Sequence, residues 1–277
     1  MKLSIAIADT NALPSAFVVF RGFQKSIPKA AKLGFDGVEL ALRRVSEINM
    51  KELDRLLSEN KIEVSCISTG QVFADGGLMF THDDEAKRWE AKSVFKEFID
   101  MAQDYGKLVN IGRIRGTVGN RNRKHVEDLF VQVVCELCEY AQARGVTLLL
   151  EPVNRYECDF INTIDDGGKF LRRIAATNIA IMPDVFHMNI EERNISEALT
   201  KNIEHIKYVH FADSNRLAPG EGHVDFGQIL ETLFKIGYDE YVSIEILPNP
   251  SPDIAAQQAI HFLRPLIQQF EMEKSNG

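Results

Sequence analysis

The chain lacks several features that would each have indicated a different class of protein. No apolar run approaches the roughly 20 residues that cross a bilayer, and the apolar start at residues 3–8 is too short for a secretion signal. Positive charge is not in excess, because 32 lysines and arginines stand against 40 aspartates and glutamates, for a net charge of −8. We therefore expect a cytoplasmic protein without a nucleic-acid or membrane partner.

Cysteine is also scarce. Four cysteines cannot form a disulfide framework in a chain of 277 residues. Cys135 and Cys138 make a C-x-x-C pair, but the pair lies within a predicted helix and no second pair completes a zinc knuckle. We interpret them as two buried helix residues.

Apolar, β-branched segments alternate with amphipathic segments along the whole chain, which is typical of parallel α/β folds. Gly34 and Gly145 are predicted to end helices, and Asp83 and Asp225 to cap the helices that follow them. The predicted strands lie near residues 3–8, 37–40, 63–69, 108–112, 147–153, 179–185, 206–213 and 241–247. The predicted helices lie near residues 25–33, 51–60, 84–105, 124–144, 164–176, 195–202, 226–236 and 252–270.

These eight βα units, without a linker between them, predict a single (β/α)8 TIM barrel over residues 1–277, with the active site at its C-terminal mouth. Residues 270–277 are predicted to form a frayed tail. An open, doubly wound sheet is the alternative. Neither of the glycine-rich phosphate-binding motifs of such nucleotide folds follows a predicted strand.

Acid or imidazole side chains stand at the ends of the last four predicted strands. They are Glu151, Asp184, His210 and Glu245, at intervals of 33, 26 and 35 residues. Because a barrel gathers these strand ends at one mouth, they predict a site for one divalent metal. Three carboxylates and a neutral imidazole favour Mn²⁺, Mg²⁺ or Co²⁺ over Zn²⁺. Each residue taken alone could instead be a helix cap, a salt-bridge partner or a core histidine.

Four protein ligands leave about two octahedral positions for a substrate. Two adjacent oxygens of a sugar, such as a carbonyl and its neighbouring hydroxyl, suit those positions. Binding of this kind acidifies the C–H bond beside the carbonyl, and a carboxylate close to that carbon can take the proton.

The segments EPVNRYE (151–157), DVFHMNIEE (184–192), HFADSNR (210–216) and SIE (243–245) resemble the xylose-isomerase-like sugar isomerase/epimerase barrels. Within that superfamily they are most similar to the ketose 3-epimerases (the D-tagatose and D-psicose 3-epimerase group) and to 5-keto-L-gluconate epimerase. The resemblance implies an isomerase that inverts the carbon next to the carbonyl of a ketose or keto sugar acid through an enediolate. It also implies a divalent metal, with Mn²⁺ favoured, and a homodimer or homotetramer.

The resemblance also assigns roles to individual residues. The four strand-end residues would be the metal ligands, and Glu151 and Glu245 would also be the acid–base pair that approaches the substrate carbon from opposite faces. Glu157, His187 and Arg216 would contact the substrate. The sequence independently places His187 in the mouth, three residues beyond Asp184, although a structural histidine is the alternative.

Two regions of the N-terminal half bear on the choice of substrate. Gly112, Arg113 and Arg115 follow the fourth predicted strand, and arginines near the mouth would suit a carboxylate or phosphate. We therefore expect Gly112 and Arg115 to bind substrate, with surface charge balance as the alternative for the arginines. Loops 10–24 and 70–82 could be lids that exclude water, or could pack over helices.

Three other functions compete with the epimerase. An aldose–ketose isomerase, similar to hydroxypyruvate or xylose isomerase, would use the same metal but move the proton between neighbouring carbons. An abasic-site DNA endonuclease would need three zinc ions and extra histidines where this chain has Thr69 and Gly112. A sugar-binding barrel with a structural metal would not need the two catalytic carboxylates.

Overall fold

A computed structural model describes residues 1–276, with side chains described through residue 273. The strands are β1 (Lys2–Ala8), β2 (Phe20–Arg21), β3 (Gly37–Ala41), β4 (Glu63–Ser68), β5 (Leu108–Ile111), β6 (Thr147–Leu150), β7 (Ile179–Ile181), β8 (Val209–Phe211) and β9 (Tyr241–Ile244). The α-helices are α1 (Phe23–Leu33), α2 (Met50–Asn60), α3 (Gly70–Gly76), α4 (Glu85–Ala102), α5 (Arg123–Gln142), α6 (Ile164–Ile174), α7 (Val185–Glu191), α8 (Ile195–Asn202), α9 (Phe226–Lys235) and α10 (Pro252–Asn276).

The strands form one parallel sheet in the order β7-β6-β5-β4-β3-β1-β9-β8, with the short β2 paired to β1. Two parallel bridges, Ile181 to Ile206 and Asp184 to His210, join the two ends of this sheet. The sheet is therefore closed, which confirms the predicted (β/α)8 barrel and excludes the open, doubly wound alternative.

Alternate residues of each strand face opposite sides of the barrel wall. Val38, Leu40, Val209 and Phe211 belong to the large apolar core that also includes buried residues of the surrounding helices. The residues between them in sequence consequently face the barrel interior. The interior positions of the strands and of the residues just after them include Glu39, Asn110, Glu151, His210 and Glu245.

Several local predictions are confirmed at the joints between elements. Gly34 ends α1 in the left-handed conformation (φ 94°), Gly145 follows α5 with φ 66°, and Asp225 caps α9 by accepting a hydrogen bond from the Gln228 N–H. The cap of α4 is Asp84 rather than the predicted Asp83. Cys135 and Cys138 do lie in a helix, but only Cys138 is buried as predicted, which raises its pKa to about 12, whereas Cys135 is half-buried.

Other elements differ from the prediction. Gly70–Gly76 is helical where a loop was predicted, and Val185–Glu191 forms a helix directly after β7. Both helices are only seven residues long, too short to show a clear helical period in the sequence. The last helix continues through Asn276 where a frayed end was predicted from residue 270; Gly277 lies outside the described residues. Among the described residues, no helix is long and apolar enough to cross a membrane.

The tight approach of Gly106 to β4 generates a stability prediction. Gly106 has φ 73°, and a Cβ there would lie 2.7 Å from the Val64 carbonyl oxygen. Gly106→Ala should cost about 2–4 kcal/mol, the sum of left-handed backbone strain and a backbone clash. Gly145→Ala is the matched control, because φ is 66° but nothing lies within 4 Å of its Cβ, so it should cost about 1 kcal/mol. Chemical denaturation checks this, and equal losses for both variants would contradict it.

Candidate metal centre

The four side chains predicted from the sequence come together at the C-terminal ends of the strands. One ligand atom from each lies within 4.8 Å of the corresponding atoms of the others. Glu151 directly follows β6, His210 lies in β8 and Glu245 directly follows β9. Asp184 is the N-cap of α7, where its Oδ1 accepts the Phe186 N–H at 2.8 Å and leaves Oδ2 facing the cluster.

The buried Nδ1 of His210 is the atom that most directly indicates a metal. Among the described residues it has no hydrogen-bond partner. Its nearest carboxylate oxygens belong to Glu245 at 3.6 Å, Glu151 at 3.8 Å and Asp184 at 4.0 Å. Ligands of one octahedral cation, at bonds of about 2.1 Å, are themselves about 3–4 Å apart. The residues present therefore fit a divalent cation.

The other ring nitrogen of His210 faces Glu39. Nε2 lies 2.9 and 3.1 Å from the two Glu39 carboxylate oxygens, and the Tyr208 hydroxyl donates to the same carboxylate at 3.1 Å. Glu39 was not among the site residues predicted from the sequence. A signal was available in the apolar strand Gly-Val-Glu-Leu-Ala, where a single acid interrupts residues that are otherwise typical of a buried strand.

The pKa values of the two carboxyl groups predicted to form the acid–base pair are shifted in opposite directions. Burial opposes the ionisation of Glu151, but His210, His187 and Asn110 lower its pKa to about 2. Burial raises the pKa of Glu245 to about 8, despite the positive charge of Arg216. His210 and Arg216 both act against burial at Glu245, because a positive charge beside a carboxyl group favours its ionised form and lowers its pKa.

Arg216 lies beside two of the four predicted ligands. Its guanidinium donates to Asp184 Oδ2 at 2.6 Å and to Glu245 Oε2. The guanidinium also stacks between the rings of Phe17 and Phe186, 4.6 Å from each centroid. This aromatic sandwich holds the guanidinium, predicted to contact substrate, beside the cluster.

His187 lies at the cluster with a defined hydrogen-bonding polarity. Its Nε2 lies 3.8 Å from Glu151 and 3.7 Å from Asp184, and Asn154 Nδ2 lies 2.7 Å from its Nδ1. The Asn154 amide is oriented by its other contacts, because Oδ1 accepts the Tyr156 N–H and Nδ2 also donates to Glu157.

His187 Nδ1 is therefore the acceptor, and the proton is on Nε2, which faces the cluster. Burial lowers the pKa of His187, which favours this neutral ring. Asn154 was not among the site residues predicted from the sequence, although it lies in the segment EPVNRYE (151–157).

The cluster borders a pocket whose walls come from the N-terminal half. Residues of both loops predicted as lids line it, together with Arg113 and the predicted substrate contacts Glu157, His187 and Arg216. Those wall residues are Leu13, Phe17 and Val18 from the first loop and Gly70, Gln71 and Ala74 from the second. The second wall is the helix α3 rather than an irregular loop. Closure of these walls over a substrate stays a prediction.

Gly112 and Arg115, which were both predicted to bind substrate, have different structural roles. A Cβ on Gly112 would lie 2.7 Å from Glu151 Oε2, so only glycine leaves room for that carboxylate. Arg115 is fully buried, and its guanidinium donates to the backbone carbonyls of Gly112, Glu151 and Ile161. Its predicted role in binding substrate is thus corrected: Arg115 holds the backbone of the rim together.

A closed parallel barrel with clustered carboxylates and imidazoles at the C-terminal ends of its strands has the architecture of a TIM-barrel enzyme. A family model described as a xylose isomerase-like TIM barrel matches residues 27–266, and the chain belongs to this family. This agrees with the resemblance found in the sequence.

Characterised relatives are sugar epimerases, which are isomerase-class enzymes. The chain is 32% identical to D-psicose 3-epimerase of Ruminiclostridium cellulolyticum, over 79% of this chain and 76% of the relative. It is 28% identical to 3-dehydro-D-guloside 4-epimerase of Escherichia coli, over 77% and 83%. The crystal structure of D-psicose 3-epimerase with D-tagatose from Clostridium cellulolyticum H10 matches with a TM-score of 0.82 and 25% identity, covering 96% of this chain and 99% of that one.

The corrected role of Arg115 generates a prediction. Arg115→Ala should cost more than about 3 kcal/mol, because it leaves a cavity and removes the guanidinium donor of three backbone carbonyls, of which that of Glu151 has no backbone donor among the described residues. Arg113→Ala is the control, since Arg113 is partly exposed, forms a 3.7 Å ion pair with Glu157 and lies 5.8 Å from the centroid of the Phe73 ring; it should cost less than about 1 kcal/mol. Urea denaturation measures both. Equal stability of Arg115→Ala and the wild type would contradict the assignment.

Proposed function

We propose that this protein is a divalent-metal-dependent epimerase that inverts the carbon next to the carbonyl of a ketose or keto sugar acid. One observation carries the proposal: the carboxyl groups of Glu151 and Glu245 belong to one predicted metal cluster and line the same pocket. The 3- and 4-epimerase relatives support the reaction class.

Glu151, Asp184, His210 and Glu245 would hold the cation, with Mn²⁺ the favoured metal. When bound, it would polarise the carbonyl of the sugar and make the adjacent C–H bond more acidic. The hard oxygen donors and the single available imidazole nitrogen support Mn²⁺, Mg²⁺ or Co²⁺ over Zn²⁺.

Glu151 and Glu245 would then each carry out one of the two proton transfers. In one direction, the Glu151 carboxylate takes the proton from the substrate carbon, which leaves an enediolate. The Glu245 carboxyl group gives its proton to the opposite face of the same carbon, so that the configuration inverts and the substrate formula is unchanged. In the reverse direction the two carboxyl groups exchange roles.

Three other residues would position the substrate. His187 presents its Nε2–H to a sugar oxygen, and the Arg216 guanidinium, held between two aromatic rings, donates to another. Glu157 accepts from a sugar hydroxyl. Phe17 and Val18 cover the pocket with apolar surface, which helps to keep water away from the enediolate.

The choice between a neutral and an acidic sugar depends on Arg113. Arg115 is committed to the backbone, and the charge of Arg113 is offset by Glu157, 3.7 Å away. A neutral ketose therefore fits the pocket better than a sugar acid. Assembly as a homodimer or homotetramer, and a cytoplasmic location, stay predictions.

A panel of sugars in D₂O tests the reaction. We expect the Mn²⁺-loaded protein to incorporate deuterium next to the carbonyl of a ketose such as D-psicose, D-tagatose or L-ribulose, and to form its epimer. NMR follows both changes. An aldose product would instead establish the isomerase, and the absence of exchange with any ketose, keto-glycoside or keto acid would favour a binding barrel.

Chelation provides the control for this panel. Protein treated with a chelator should lose both deuterium exchange and epimer formation, and added Mn²⁺ or Co²⁺ should restore them. Full activity after complete removal of metal would overturn the metal-dependent mechanism.

Substitution of either predicted proton carrier should stop the reaction. Glu151→Gln and Glu245→Gln should each lower kcat by about 10²–10⁴-fold or more, because each removes one acid–base group and one charged ligand. Glu97→Gln, which changes an exposed acid of α4, is the control and should leave kcat unchanged. Bound Mn²⁺ is measured alongside the rate, and a variant that retains wild-type kcat would refute the assigned role.

A further inference from the structure

The strand acid Glu39 is a buried ionisable group that the proposed reaction does not use. It lies in the middle of β3, and two strands, β1 and β9, separate β3 from β8 in the order of the sheet. Its side chain is fully buried and crosses the barrel interior to reach His210, with carboxylate oxygens 2.9 and 3.1 Å from Nε2. This contact joins residues 171 positions apart in the chain.

Stability alone does not account for an acid at this position. Among the described residues, no lysine or arginine forms an ion pair with Glu39, and its recorded partners are His210 and Tyr208. Removal of a carboxylate from water costs several kcal/mol unless a positive charge pairs with it, and the partner of Glu39 that can carry such a charge, His210, is itself a predicted metal ligand. An apolar residue would fill the barrel interior at lower cost, so the acid points to a role in the site.

A chain of hydroxyl groups fixes the carboxylate from behind. Tyr208 donates to Glu39 Oε2 at 3.1 Å, the Ser65 hydroxyl lies 2.7 Å from that of Tyr208, and Ser4 lies 2.6 Å from Ser65. All four side chains are buried. The carboxylate thus has a defined orientation, and so does the imidazole that it contacts.

We infer that Glu39 is a positioning residue for the predicted metal ligand His210. Because a carboxylate only accepts hydrogen bonds, it keeps a proton on Nε2 and leaves Nδ1, which has no partner, pointing at Glu151, Asp184 and Glu245. Its negative charge also makes Nδ1 a stronger donor to a cation. Partners of this kind typically change metal affinity by about 10–100-fold.

This inference rests on the metal site of the proposed function, and binding of Mn²⁺ alone tests it. Glu39→Gln keeps the shape of the side chain and an acceptor for Nε2, but removes the charge. We expect the Mn²⁺ dissociation constant to rise about 10–100-fold, measured from free Mn²⁺ by electron paramagnetic resonance. At saturating Mn²⁺ the variant should recover a kcat within a few-fold of the wild type.

Ser243→Ala is the matched control. Ser243 is buried beside His210 in the register of β8 and β9, and among the described residues its hydroxyl forms no hydrogen bond with Glu39 or His210. This variant changes the same interior layer without changing charge, and its affinity for Mn²⁺ should equal that of the wild type. The melting temperatures of all metal-free variants show whether the fold is affected.

The outcomes separate this inference from the proposed function. Wild-type affinity for Mn²⁺ in Glu39→Gln would overturn the inference even if the protein is an epimerase. If the wild type binds Mn²⁺ but epimerises no sugar, the proposed function fails. Weaker binding of Mn²⁺ by Glu39→Gln than by the wild type would still support the inference. If Glu39→Gln is unstable, Glu39→Asp, which keeps the charge, should bind Mn²⁺ more tightly than Glu39→Ala; equal affinities would refute the role of the charge.

Discussion

Electrostatic repulsion among three clustered carboxylates is the constraint that the rest of the structure must offset. Glu151, Asp184 and Glu245 present oxygens within 4.8 Å of one another in a largely buried site. That arrangement is unfavourable unless positive charge lies among them. Arg216 supplies part of this charge through two ion pairs, and the unpartnered His210 Nδ1 marks where a cation would supply the rest. Barrel closure through the Asp184–His210 bridge holds these residues together despite their repulsion.

Two histidines at this site are oriented by opposite means. An acceptor, Glu39, contacts Nε2 of His210 and leaves Nδ1 free of a proton, whereas a donor, Asn154, contacts Nδ1 of His187 and places the proton on Nε2. One ring therefore offers a lone pair to the cluster and the other offers a hydrogen bond. The same side chain gains two different functions from the partner behind it.

The sequence was sufficient for the barrel and for the four clustered residues, since strand periodicity and the ends of parallel strands follow simple geometric rules. It did not reveal the partner of Glu39, because the contact between Glu39 of β3 and His210 of β8 crosses the barrel interior and depends on closure of the sheet. It was misleading for Arg115, because a 3₁₀ turn over Arg113–Arg115 buries Arg115 and leaves Arg113 lining the pocket. The helices α3 and α7 are too short for a periodic pattern to reveal.

The backbone clamp made by Arg115 has a consequence for how this scaffold could diversify. It ties together the rim segments around Gly112, Glu151 and Ile161 through backbone carbonyls, none of which belongs to the wall segments 13–18 and 70–74. The walls at residues 13–18 and 70–74 come from separate parts of the chain. Selection or engineering can therefore replace these wall segments to accommodate other sugars while the Glu151 carboxylate stays in the same position.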